Sequence, residues 1–220
     1  MKNSGESLAV LISGGVDSAV LLGEALADRP RVYPIHVRTG SVWEAVELEY
    51  LRRYLSETAC PALQPLTLLD QPVADLYGQH WSMTGDGVPG SETPDDAVYL
   101  PGRNVLLLAK PLIWCHMNHV KEIALAPLAA NPFSDATPEF FAEFASAVNR
   151  AVGGSVRVTY PYINLNKIDV LRRGRDLPLR HTFSCMRPIR GKHCGQCNKC
   201  AERRQAFGDA KMNDPTEYSA

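Results

Sequence analysis

Six consecutive residues, Ser13-Gly14-Gly15-Val16-Asp17-Ser18, combine what a phosphate site needs: two glycines for close backbone approach and two hydroxyls that can donate hydrogen bonds. They follow the apolar run Leu8 to Ile12 and precede Ala19, Leu22, Ala25 and Leu26, which recur at helical spacing. A Gly-rich turn between a strand and a helix aims backbone N–H groups and the positive end of the helix dipole at an anion. Asp17 is out of place beside phosphate on charge alone, and its presence fits a site that also holds Mg²⁺, shared between carboxylate and phosphate oxygens. No GK[ST] follows and no GxGxxG is present, so neither of the two commonest nucleotide loops applies. A capped Gly turn would account for any two of these residues, but not for all six after a strand.

The second group is Cys185, Cys194, Cys197 and Cys200, spaced C-x8-C-x2-C-x2-C. Four thiolates suffice for a closed tetrahedral Zn²⁺ site with no position left for water, so the metal would be structural. An iron–sulfur cluster takes the same ligand count. Cys60 and Cys115 each stand alone in apolar surroundings and fit small core side chains.

The elements that must position these groups alternate along the chain. Strands are expected at Leu8 to Ile12, Val32 to Val37, Leu66 to Leu69, Glu122 to Ala126 and Val156 to Tyr160. Helices are expected after Ser18 to about Asp28, over Val42 to Tyr54, Asn104 to Met117 and Pro138 to Val152, with a short one after Asn166. Such alternation predicts an α/β fold, a parallel five-stranded sheet with helices on both faces, and ligands at the carboxyl ends of the strands. Ser82 to Ala97, with three Gly, two Pro and four acids, is expected to be a mobile loop beside the site or a disordered insertion. The Pro, Arg and Cys rich tail is too polar for another layer and needs a metal staple. Residues 1–180 are thus expected to form the α/β domain, and 181–220 a zinc-binding extension packed on it.

Lys and Arg number 23 against 24 Asp and Glu, a net charge of −1 with no global pull toward nucleic acid or an anionic membrane. Residues 171–204 differ, holding ten Lys and Arg against two acids. The N-terminal residues form no export signal and no run approaches a membrane span, so a soluble, cytoplasmic protein is expected.

The string SGGVDS resembles the signature of the PP-loop ATP pyrophosphatases, which split ATP between the α and β phosphates. With Leu100 to Ala109 (LPGRNVLLLA) and His181 to Phe207 (HTFSCMRPIRGKHCGQCNKCAERRQAF), the chain resembles the 7-cyano-7-deazaguanine synthases of that group, in order and over nearly its whole length. The resemblance implies ATP, Mg²⁺ and structural Zn²⁺, with a 7-carboxy-7-deazaguanine carboxylate adenylated, captured by ammonia as an amide, and activated again to the nitrile. It places the nucleotide on Ser13, Gly14, Gly15, Asp17 and Ser18 and on Gly102, Arg103 and Asn104. Asp17, Arg103 and Lys167 become the catalytic candidates, and Phe133, Asp135, Thr182 and Ser184 the groups facing substrate. Members of the family commonly form dimers.

Departures gather on the substrate side. The family's Tyr-Gly-Gln-Arg-His after the second strand is replaced from His36 onward by HVRTGSVWE, its Gly-Val-Asn by Ala126-Pro127-Leu128, and the Cys-Arg after its acid by Ala136-Thr137. Exchanging hydrogen-bonding groups in a polar site can change its ligand. A second reading therefore keeps the acyl-adenylate and passes it to another amine, such as one on a peptide or protein. A third makes the basic tail an RNA-binding module, but Phe183 and Phe207 alone do not form a base-stacking platform. No residue in the sequence stands out as a general base.

Overall fold

The structure, a computed structural model, describes residues 6–219, the side chain of Asp95 excepted. The first five residues of the stretch read for an export signal lie outside the described residues. Five parallel strands, β1 (Leu8–Leu11), β2 (Val32–Arg38), β3 (Thr67–Asp70), β4 (Glu122–Ala124) and β5 (Arg157–Thr159), form one sheet in the order β3-β2-β1-β4-β5. Leu8 pairs with Val32 on one side of β1, and Ala9 with Ile123 on the other. The chain runs outward from β1 through β2 to β3 and then crosses back, so the order reverses between β1 and β4. A crevice opens at such a reversal because the flanking connections leave in opposite directions.

Strand alternation fixes the two layers. Leu8, Val10 and Ile12 enter one core with α1 (Val16–Asp28), α2 (Glu44–Glu57) and α7 (Lys167–Arg173). Ala9 turns to the other face, where α5 (Arg103–Met117) and α6 (Pro138–Val152) supply Leu108, Leu112, Phe141 and Ala145. Inside the first core the Tyr54 hydroxyl donates to the Ala19 carbonyl at 2.6 Å, joining α2 to α1. The end of α7 closes tightly on α1: a Cβ on Gly174 would lie 2.3 Å from Val20 Cγ2.

Two expectations are corrected. Residues 82–97 are not a disordered insertion: the segment carries α4 (Trp81–Thr84), after the short α3 (Ala74–Tyr77), and a 3-10 turn at Asp95–Val98. It is also tied to the tail, with Asn198 N donating to Pro89 O at 3.0 Å and Asn198 Nδ2 to Thr93 O at 2.7 Å. The tail, in turn, is not too polar to pack: it supplies α8 (Asn198–Asp209), whose Ala206 and Phe207 are buried in the same core as α1 and α7. Its charged residues concealed this, because Arg203, only 4% exposed, is bonded inward where periodicity would assign a solvent face.

Candidate functional site

β1 ends at Leu11 and α1 begins at Val16, and the turn between them braces itself. Ser18 Oγ donates to Gly15 O at 3.1 Å, Gly15 N donates to Ser13 Oγ at 3.2 Å, and the two hydroxyls lie 3.2 Å apart. Gly14 has φ +94°, a conformation that costs a side chain, and an added Cβ would sit 3.2 Å from Glu47 Cγ. No side chain caps α1, which leaves the first-turn N–H groups facing the crevice.

Asp17, in that first turn, accepts from Lys167 Nζ at 2.6 Å through Oδ2. Its Oδ1 is buried without a hydrogen-bond partner. Lys167 opens α7, which Asn166 and Asp169 start with a reciprocal capping box. Burial opposes the Lys167 charge, but Asp17 and Glu202 outweigh it and hold the pKa above the ordinary lysine value. On the opposite side Gly102, at φ +70°, turns the chain into α5 and places Arg103 at its first position. Among the described residues the Arg103 guanidinium has no hydrogen bond or ion pair, so it is a free cation at the crevice.

Two cavities meet at this loop, one of about 410 Å³ and one of about 220 Å³, sharing Ser13, Gly15, Asp17, Trp43 and Arg103 in their walls. The smaller runs along the ends of β1 and β2 past Ser18, His36 and Asn104. His36 is 2% exposed, and its Nδ1 must carry the proton because its partner at 2.9 Å is the Ile12 carbonyl. Nε2 is then an acceptor, buried and unpartnered in the cavity wall. Burial holds the His36 pKa below its ordinary value, so the ring stays neutral.

The larger cavity is lined by aromatic rings and by the tail. Trp43 stacks on Trp81 with centroids 5.8 Å apart, and Phe133 on Tyr99 at 5.0 Å. Phe183, Ser184, Cys185, Lys167 and Arg203 complete its wall. The tail reaches the loop directly, since Phe183 N donates to Gly14 O at 2.8 Å. Behind it the sulfurs of Cys185, Cys194, Cys197 and Cys200 all lie within 4.8 Å of one another and are buried. Backbone N–H groups of Arg187 and Cys194 donate to Cys185 Sγ, and those of Gln196 and Cys197 to Cys194 Sγ.

The residues expected from sequence divide accordingly. Ser13, Gly15, Asp17, Arg103, Lys167, Phe133 and Ser184 stand in the wall of the larger cavity, with Ser18 and Asn104 in that of the smaller. Gly14 and Gly102 shape the backbone behind. Asp135 and Thr182 stand in neither of these two walls, and each bonds to a residue that does. Asp135 Oδ2 accepts from Asn104 N at 2.9 Å at the start of α5, and Thr182 is fully buried, its hydroxyl held by Leu179 O and Arg203. His36, Glu47, Trp43, Trp81 and Arg203 were not expected. A polar residue inside an apolar strand run could have pointed to His36, whereas nothing in spacing separates Glu47 from Glu44 and Glu49.

With this geometry in place, the family described as queuosine biosynthesis protein QueC matches residues 7–211. A 7-cyano-7-deazaguanine synthase of Syntrophus aciditrophicus is 34% identical over 94% of this chain and 94% of its own length. One from Syntrophobacter fumaroxidans is 33% identical over 95% and 94%. Among solved structures, a 4-thiouridine synthetase–RNA complex with bound ATP aligns with a TM-score of 0.51 at 14% identity, covering 97% of this chain and 47% of that one, a likeness of fold.

Proposed function

The chain belongs to the QueC family, and from that premise we propose that it is an ATP-dependent, AMP-forming ligase converting 7-carboxy-7-deazaguanine to 7-cyano-7-deazaguanine. The observation that carries the reading is the position of the phosphate loop between two cavities. ATP lies with its nucleoside in the smaller cavity, where His36 Nε2 accepts from an amino or hydroxyl group, and its phosphates on the α1 N-terminus. The deazapurine, a flat ring system, enters the larger cavity among Trp43, Phe133 and Phe183.

The carboxylate then attacks the α-phosphorus, the α–β bridging bond breaks, and pyrophosphate leaves with the electron pair. Arg103 and Lys167 offset the charge that builds on the phosphate oxygens, and the loop holds the leaving group in line. Positioning and charge stabilisation of this kind supply most of the rate in phosphoryl transfer. Ammonia displaces AMP to give the amide, and a second ATP activates the amide oxygen for loss of AMP to the nitrile.

Two metals fit the residues present. The unpartnered Oδ1 of Asp17 beside the phosphate loop suits a hard cation such as Mg²⁺, which would neutralise pyrophosphate charge. The four clustered sulfurs with N–H donors suit Zn²⁺, which would contribute folding energy and no chemistry.

The test is to incubate the purified protein with ATP, Mg²⁺ and 7-carboxy-7-deazaguanine, with and without ammonium, and follow nucleotides and products by mass spectrometry. AMP, pyrophosphate and the nitrile are expected. ADP in place of AMP overturns the adenylation, and a mass added to a peptide or protein amine replaces ammonia as the acceptor.

A further inference from the structure

We infer that Glu47 is the proton acceptor for the ammonia that captures the acyl-adenylate, an inference that rests on the ligase activity proposed above. Glu47 lies on α2 one turn after Trp43, packed over Gly14 of the phosphate loop, and it lines the larger cavity but not the smaller. Its carboxyl therefore stands on the substrate side of the loop. Among the described residues it has no hydrogen bond or ion pair of its own. Apart from Arg103, which makes no ion pair with it but draws on its charge from across the cavity, the other charged groups there are engaged: Asp17 with Lys167, Glu202 with Lys167 and Lys199, and Arg203 with Asp214.

A carboxylate left unpaired in a cavity that receives two anionic reactants requires a proton or a small cation. The reaction brings such a cation, the ammonium nitrogen. Burial raises the Glu47 carboxyl to about 8, against the pull of Arg103 and with a smaller push from Glu44. A carboxylate so raised is a far stronger base than an exposed one and still ionises close to neutral pH. In the capture step the ammonia lone pair forms the C–N bond while the carbonyl π pair moves to oxygen. One N–H proton passes to a Glu47 Oε, the C=O bond re-forms, and the C–O bond to AMP breaks with its pair left on the phosphate. In the second round the amide nitrogen sheds two protons as C≡N forms. Glu47 passes each proton on to water.

The test compares Glu47→Gln and Glu47→Asp with the parent protein in ATP–pyrophosphate exchange, amide formation at fixed free ammonia, and hydroxamate formation with hydroxylamine, a weaker base whose adduct sheds its proton readily. Glu47→Gln is expected to lower amide formation relative to exchange by about 100-fold and to abolish the inflection near pH 8. Hydroxamate formation should fall far less, and Glu47→Asp should restore part of the amide rate. Equal losses in exchange and with both nucleophiles would overturn the inference by making Glu47 a packing residue. A raised Mg²⁺ requirement at an unchanged ratio would overturn it by making Glu47 a metal ligand. Absence of exchange in the parent protein removes the ligase reading itself, and this inference with it.

Discussion

Asp17 and Lys167 lie 150 positions apart in the sequence, yet 2.6 Å separates their charged atoms at the mouth of the phosphate loop. Each side chain is about a quarter exposed, so solvent screens the pair, and its loss should cost about 1–2 kcal/mol where a fully buried pair costs more. Asp17→Ala is therefore expected to remain folded, with a melting temperature a few degrees lower, while AMP release followed by mass spectrometry falls at least ~100-fold. His36 offers a pH test. Its folded pKa is depressed, so the unfolded chain takes up its proton first as the pH falls, and the contribution of the neutral ring is present above about pH 6.5 and lost below it. Urea titrations at pH 7.5 and 5.5 should show a smaller stability loss for His36→Gln than for the parent. The same Nε2 accepts in the nucleotide cavity, and because the folded ring stays neutral down to its depressed pKa, ATP affinity should hold where the stability loss begins and fall only at lower pH.

Among the elements, the end of α7 meets α1 at Gly174, where even one methyl would press on Val20. Gly174→Ala is expected to destabilise by about 1–3 kcal/mol through overpacking, measurable by thermal melting. Asn198 ties the segment after α4 to the tail, and Asn198→Ala, which loses the Nδ2 donor to Thr93 while the backbone bond to Pro89 stays, should speed amide exchange around residues 93–98. These contacts mark the limits of what the sequence made legible. α1, α2, α5 and α6 were readable because each buries one periodic apolar face, and β1 because it is an unbroken apolar run buried on both faces; their observed ends fall within a few residues of expectation. α8 was not, because Cys197, Cys200 and Arg203 serve as interior residues there while looking like a polar tail. Residues 82–97 looked unstructured for a similar reason: their order comes from Asn198 and Ser82, not from an apolar pattern of their own.

For the molecule as a whole, the tail joins the metal candidate to the catalytic candidate. Elemental analysis should find one metal equivalent per chain, removed by chelators together with the order of residues 181–219 and a drop in melting temperature. ATP binding should be lost alongside it. Local motifs revealed the loop and the cysteines because their chemistry is written in consecutive or closely spaced residues. The cavity walls were hidden because Trp43, Glu47, Trp81 and Arg203 converge only through the fold. No helix among the described residues is long and apolar enough to cross a membrane. The bond from Phe183 N to Gly14 O carries a consequence for synthesis on the ribosome. All five strands have been made by Thr159, so the sheet can assemble while the tail is still inside the exit tunnel. The nucleotide loop, however, lacks its last support until Phe183 emerges and the cysteines behind it gather. On the function proposed above, a nascent chain would fold before it could hold ATP, and ATP use would wait until Phe183 and the four cysteines are in place.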